Sequence, residues 1–293
     1  MELVLTVLEI TAPVFILALV GYIWVRAGFE YRVQFVTRLA MTLAVPCLIF
    51  TALMQTEVEP AALSLVTVAA IVAYGAVTLV MWALVAGFGL DRPTYLAPLI
   101  FGNTGNLGLP LALFAFGQEG LGYAVVIFAV MAVMAFTFGI WLVSGGGSLI
   151  KAVQEPMVSA TLLGALFLWQ GWKTPVFVTN TLELIGQMAI PLMLITLGVA
   201  VARLAPGGIW RALCLSLVKV GICVGCALAA GLWLDLPHVA LAVLVLQVAT
   251  PVAVTSYLLA EKYEADADAV AGLVVISTLF SVISIPVVLA FFV

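Results

Sequence analysis

The chain has 293 residues, 66% hydrophobic and only 8% charged, where soluble domains run at roughly 45–50% and about 25%. Ten basic and 14 acidic side chains cannot clothe a water-soluble protein of this size, whereas hydrocarbon asks for no such cover. The composition excludes a soluble globule and predicts an integral membrane protein.

A formal net charge of −4 and the lack of any basic run longer than two residues argue against nucleic acid as a partner. One histidine and four cysteines leave little for metal chemistry, and no metal or cofactor is expected. Cys223 and Cys226 form a C-x-x-C, but it lies in an apolar stretch with no second ligand pair and reads as ordinary buried thiols. Glu2 stands where a leader would be basic, and the first apolar run is long enough to span, so no cleavable leader is expected.

Apolar windows of about 20 residues predict transmembrane helices. In chain order they fall at residues 3–25, 33–54, 62–88, 93–117, 121–144, 153–171, 176–201, 208–233, 239–260 and 268–292. Loops after odd-numbered spans hold Arg26, Arg32, Arg92, Lys151, Arg203, Arg211 and Lys262, whereas loops after even-numbered spans hold only Lys173. The positive-inside rule therefore places the odd loops in the cytoplasm and both termini on the other side; the expected location is the inner membrane of a bacterium.

Self-similarity divides the chain near its middle, into residues 1–147 and 148–293. Arg38 to Thr51 aligns on Glu183 to Thr196 at an offset of 145, pairing Leu39 with Leu184, Ala44 with Ala189, Pro46 with Pro191 and Thr51 with Thr196. Asn106 to Pro110 aligns on Gln247 to Pro251 at an offset of 141. Five spans in each half force the second to enter the membrane in the opposite sense, an inverted repeat of the kind common in secondary transporters.

Span 4 carries Gly102-Asn-Thr-Gly-Asn-Leu-Gly-Leu-Pro110 near mid-membrane, and span 9 carries Gln247, Thr250, Pro251, Thr255 and Ser256. Proline removes a backbone donor and glycine lowers helical preference, so both spans are expected to unwind there. Backbone groups freed in hydrocarbon must face protein or a wet cavity. The candidate site is accordingly Asn103, Thr104, Asn106, Pro110, Gln247, Thr250, Pro251, Thr255 and Ser256, with half-helix N-termini suited to an anion. The alternative for Asn103, Asn106 and Gln247 is that they cross-link helices.

Lys219 lies about ten residues into span 8, where an ammonium costs roughly 2.5–3.5 kcal/mol unless paired. It joins the candidate site, either neutralising carbonyls at a break or offering charge to an anionic substrate. Glu9, Arg38 and Glu183 lie nearer span ends and read as structural. Glu261 to Asp268 reads as a solvated loop, and Ser277, Ser281 and Ser284 share one face of span 10, for packing or for a pathway.

These motifs resemble the auxin efflux carrier family, which includes plant auxin carriers and bacterial dicarboxylate permeases. Gly102 to Leu111 is similar to its span 4 signature. Pro251 to Ser256, Ala260 to Tyr263, Ser277 to Ser281 and Ile285-Pro286 are similar to its last two spans. Ala249-Thr250 departs from it, where the family has Met-Pro or a like pair. The resemblance implies a crossover fold like that of sodium/proton antiporters, with spans 4 and 9 broken and crossing. It also implies a scaffold of spans 1, 2, 6 and 7 that dimerises, and a transport domain of spans 3–5 and 8–10 that moves as an elevator. Asn103, Asn106, Pro110, Gln247 and Pro251 fall at its crossover, and Lys219 is placed like a lysine that compensates crossover dipoles. The implied substrate is a small mono- or dicarboxylate, coupled to H⁺, to Na⁺ or to neither.

Two other readings are weaker. An intramembrane enzyme needs a nucleophile with its base, paired acids or a metal motif, and only a Ser/Lys dyad through Lys219 is available. A Na⁺-coupled bile-acid-type symporter usually recruits carboxylates, and spans 3, 4, 5 and 9 carry none at mid-membrane.

Overall fold

The computed structural model describes residues 2–56, 58–144, 156–204 and 208–293. Lys151 and the expected division between residues 147 and 148 lie outside them. Among the described residues all regular structure is helical, apart from one isolated antiparallel bridge between Gly102 and Val252. A helix satisfies its own backbone, which is what hydrocarbon demands of a crossing segment.

The first helix, α1, runs Glu2–Arg26. The next is α2 (Val33–Leu39), a π-helical turn (Ala40–Ala44) and α3 (Val45–Gln55) in one continuous rod. Then come α4 (Pro60–Gly87), α5 (Arg92–Ile100), a second π-helical turn (Thr104–Gly108), α6 (Leu109–Met134), a third (Ala135–Gly139) and α7 (Ile140–Ser144). The second half holds α8 (Pro156–Gln170), α9 (Val176–Gln187), α10 (Ala189–Arg203), α11 (Ile209–Trp233), α12 (His238–Val248), α13 (Val254–Lys262) and α14 (Ala267–Leu289). Prolines mark helix starts, where a missing N–H costs nothing: Pro60 and Pro93 occupy first turns, and Pro175 and Pro237 precede α9 and α12, while Pro46 and Pro110 each follow a π-helical turn within a continuous run. Hydroxyls inside the rods bond back to carbonyls one turn earlier, as Thr67 does to Leu63, Thr78 to Tyr74 and Ser216 to Ala212.

Seven stretches of the described residues are long and apolar enough to cross a membrane: Leu5–Arg26, Val33–Gln55, Ala61–Gly87, Thr104–Val143, Val176–Arg203, Ile209–Trp233 and Ala267–Leu289. Ser159–Gln170 and His238–Val248 are shorter apolar helices. Expected span 9 is therefore divided into two pieces too short to cross alone, and expected span 4 is divided into α5 and a second piece that runs on into Thr104–Val143. Within Thr104–Val143, Gly117 adopts φ 62° and ψ −150°, so the chain turns there between expected spans 4 and 5.

Two helix irregularities stand about 145 residues apart. The π-helical turn at Ala40–Ala44 and the interruption at Met188 between α9 and α10 fall at matching positions, each shortly before the aligned prolines Pro46 and Pro191. Helices gather in two groups. In one, α1 lies along α10, and α3 along α8 and α9; in the other, α11 lies against α4, α12 and α14, with α4 and α12 also on α6.

The outer surface is apolar: Leu79 is 74% exposed and Phe88 77%. Trp169, Trp172, Trp210 and Trp233 are exposed near helix ends, the distribution of an interfacial aromatic belt. Glu183 accepts a 2.6 Å hydrogen bond from Gln55, and Glu9 and Arg38 are exposed on their helices.

Two expectations need correction. Glu261 to Asp268 is not one loop, because α13 continues to Lys262 and α14 begins at Ala267 with Asp266 as its cap, Oδ1 accepting from the Ala269 N–H at 3.0 Å. In span 4 the helix breaks at Phe101 to Asn103, well before Pro110, which instead sits in the first turn of α6. Pro110 follows the π-helical turn inside the helical run that resumes at Thr104, so it marks that turn, while the break itself falls where Gly102 allows close approach to Thr250.

Candidate functional site

The two breaks meet. Beyond Ile100 the chain leaves helical geometry, and the Asn103 N–H, which a continuing helix would direct to the Leu99 carbonyl, instead bonds the Pro251 carbonyl at 2.7 Å. Beside it Gly102 and Val252 form the antiparallel bridge. A Cβ on Gly102 would strike the Thr250 hydroxyl and backbone carbonyl, so glycine is needed there, and one on Gly108 would displace the Gln247 amide.

Diverting these backbone bonds leaves groups to be satisfied. The Leu99 carbonyl accepts from Lys219 Nζ at 3.1 Å, reaching across from α11. In the second break the Thr250 hydroxyl donates to the Gln247 carbonyl at 2.7 Å, and the Val252 N–H donates to Ser277 Oγ of α14 at 3.0 Å. Each break is thus held by a polar side chain of a neighbouring helix. Ser277, Ser281 and Ser284 are all buried against their neighbours and none reaches the cavity.

Beside the crossing lies a narrow cavity of about 90 Å³ for water-sized occupants, between α5, the third π-helical turn and α13. Asn103, Asn106, Thr255, Ser256 and Thr94 are its polar lining, among apolar walls that include Phe101, Phe128 and Met131. It lies toward the helix ends that carry Arg92 and Lys262, since Pro93, Leu259 and Ala260 also line it. The first turns of two helical segments line it, through Gly105 and Asn106 after Thr104 and through Val254 to Ser256, and the first turns of a helix hold N–H groups without intrahelical partners. Asn103 is 4% exposed and its Nδ2 makes no hydrogen bond; the same holds for Asn106 Oδ1.

The predicted residues divide into two sets. Asn103, Asn106, Thr255 and Ser256 line the cavity; Thr104, Pro110, Lys219, Gln247, Thr250 and Pro251 stand behind its wall. Gln247 is fully buried against Gly108, with neither amide atom hydrogen-bonded, and the buried Thr104 and Thr278 hydroxyls are likewise unpaired. No charged side chain lines the cavity, and Lys219 is not part of its lining.

Sequence reasoning missed Met41, Thr94 and Cys223. Met41, in the first π-helical turn, is the cavity's contribution from the α1–α3 and α8–α10 group. Thr94 is fixed by Asp91, whose Oδ2 accepts from its N–H at 3.0 Å and its hydroxyl at 2.5 Å. Cys223 places its sulfur 3.9 Å from Lys219 Nζ, one turn along α11. A methionine or a cysteine in an apolar span gives no signal of its own; the Asp91-x-x-Thr94 pair could have been read as a helix cap.

A membrane-embedded helical protein whose interior opens where two broken helices cross has the architecture of a transporter. The family model described as a membrane transport protein matches residues 6–148 and 140–289, and the chain belongs to this family, that of the auxin efflux carriers. An uncharacterized transporter of Methanothermobacter thermautotrophicus is 29% identical over 295 residues, covering 95% of this chain and 96% of that one. An uncharacterized transporter of Methanocaldococcus jannaschii is 26% identical over 197 residues, 64% of each chain. The resemblance carried by the span 4 and span 9 motifs is borne out, and with it the assignment to membrane transport.

Proposed function

We propose that the chain is a secondary transporter of small organic anions, built from ten spans in two inverted halves and working by alternating access. The observation that carries this reading is the cavity lined by the first turns of two half-helices, with Asn103 and Asn106 in its wall. Backbone N–H groups and an amide donor suit a carboxylate, and a volume of this size admits its head group while excluding bulk water. The matching irregularities at Ala40–Ala44 and Met188 support the repeat. The grouping of α1–α3 with α8–α10 supports a fixed scaffold, through which two copies pair, and a moving domain made of the rest.

A Na⁺-coupled cycle is a second reading, favoured by the buried oxygens of Thr104, Asn106, Gln247 and Thr278 that accept no hydrogen bond. A thermal-stability screen of the purified protein against small mono- and dicarboxylates, with and without Na⁺, separates the two. A ligand at 100 times its Kd stabilises by about 2.7 kcal/mol. Stabilisation by a carboxylate alone is expected; stabilisation only with Na⁺ present selects the second reading, and none with any carboxylate rejects the anion site.

A further inference from the structure

We propose that a second cavity, at the opposite end of α4 from Arg92, binds an organic dication of the alkyl diammonium class through Glu59, Glu119 and Tyr123. The inference stands apart from the anion reading, because the two cavities have no lining residue in common.

This cavity has a volume of about 720 Å³ and lies where α3 ends, α4 begins and the chain turns at Gly117. Gln55, Thr56, Glu59, Gln118, Glu119 and Tyr123 are its polar lining, and no Lys, Arg or His is among it. Close packing fixes one wall: a Cβ on Gly122 would lie 2.9 Å from the Thr56 hydroxyl. Tyr123 is 4% exposed, and among the described residues its hydroxyl has no hydrogen-bond partner. That oxygen is not one of the unpaired atoms enclosed by protein, so its open side is the cavity. Glu119 lies within electrostatic range of it. Glu59 precedes α4 without capping it through its side chain. Among the described residues the one ion pair is Arg32 with Glu30, so neither cavity carboxylate is balanced by a cation of the protein.

The lining is rich in acceptors. Gln55 donates through Nε2 to Glu183 at 2.6 Å, and a carboxylate only accepts, so the amide oxygen of Gln55 is the atom left for a ligand. That oxygen, the two carboxylates and the tyrosine oxygen can each accept from an ammonium, and hydrogen bonds with ionised partners are roughly twice as strong as neutral ones. Two negative charges without a basic partner call for two positive ones. Size and ligand count decide their kind. Ca²⁺ takes roughly six to eight oxygens at about 2.3–2.6 Å, whereas no cluster of three acidic, histidine or cysteine side chains suited to a metal occurs among the described residues. A space of about 720 Å³ equals roughly 24 waters at about 30 Å³ each, which leaves room for a carbon chain between two ammonium groups. Ala52, Val58 and Ala62 offer its methylenes an apolar surface.

The test is calorimetric titration of the purified protein with 1,4-diaminobutane in about 0.15 M NaCl, where exposed charges are screened beyond about 8 Å. Saturable binding of one diamine per chain is expected. Glu59→Gln combined with Glu119→Gln should weaken it by well over tenfold, and Tyr123→Phe by roughly tenfold, the usual effect of losing a hydrogen bond to a charged group. The three side chains have no hydrogen-bond or ion-pair partner within the protein, so these variants should melt with the parent. Butylamine, with one charge, should bind at least about tenfold more weakly than the diamine. No binding of the diamine to the parent protein overturns the proposal. Binding undiminished in the double variant places the diamine elsewhere and overturns the site. Binding unchanged in Tyr123→Phe, or matched by butylamine, reduces the effect to diffuse charge attraction and overturns it too. Saturation by Mg²⁺ that excludes the diamine assigns the cavity to a metal ion and overturns the organic ligand.

Discussion

Asn103 joins the two breaks through its backbone and lines the cavity, whereas Gln247 is absent from the lining and fully buried on Gly108. The two amides should therefore respond oppositely to substitution. Asn103→Ala removes a donor to a charged ligand, worth about 1.5–3 kcal/mol, and should weaken carboxylate binding by roughly 10- to 150-fold with little change in melting temperature. Gln247→Leu removes two buried unpaired atoms at similar volume, and should keep binding while leaving stability equal or higher. Ligand titration and melting curves of both variants check this, and equal loss of affinity in the two would place Gln247 at the ligand. Asn103, Asn106, Thr255 and Ser256 were legible because an amide or hydroxyl at mid-membrane stands out from an apolar chain. Phe101, Phe128 and Met41 were not, since an apolar wall is written in the same residues as lipid-facing surface and core.

At the scale of elements, the site is two interrupted helices kept in place from outside themselves. Lys219 closes the carbonyl end of α5, and its other end is capped by Asp91. The Thr94 hydroxyl passes this cap on, accepting the Asp266 N–H at 3.2 Å and so tying α5 to the start of α14. Asp91→Ala should cost about 0.5–2 kcal/mol through the lost cap and lower the melting temperature. Because Thr94 lines the cavity, the same variant should also weaken carboxylate binding, and a melting temperature and affinity both equal to the parent would show that the cap holds nothing. The existence of both breaks was legible from glycine, proline and amides crowded into otherwise apolar spans. Their exact residues were not, because the diverted Asn103 N–H and its Pro251 acceptor lie far apart in sequence and only the fold brings them together. The turn at Gly117 was legible only as the gap between two apolar windows.

For the whole molecule, the number of crossings decides whether the halves are inverted, and the short pieces decide that number. If α12 and α13 together make one crossing, three crossings separate Lys173 from Lys262, and the two residues face opposite sides. If they do not cross, only Val176–Arg203 and Ile209–Trp233 intervene, and both residues face the same side. Likewise, a turn at Gly117 that reaches the membrane surface puts the exposed Gln118 opposite Arg92, whereas an unbroken Thr104–Val143 rod buries it at mid-membrane. Single cysteines at Arg92, Gln118, Lys173 and Lys262, in a background lacking Cys47, Cys214, Cys223 and Cys226, make this measurable with a membrane-impermeant maleimide on sealed cells and on inverted vesicles. Labelling of Gln118 and Lys173 from outside, and of Arg92 and Lys262 from the cytoplasm, is expected from the distribution of Lys and Arg. Lys173 and Lys262 reacting from one side would remove the crossing at α12 and α13. The second half would then no longer invert the first, and the alternating-access mechanism would lose its structural basis.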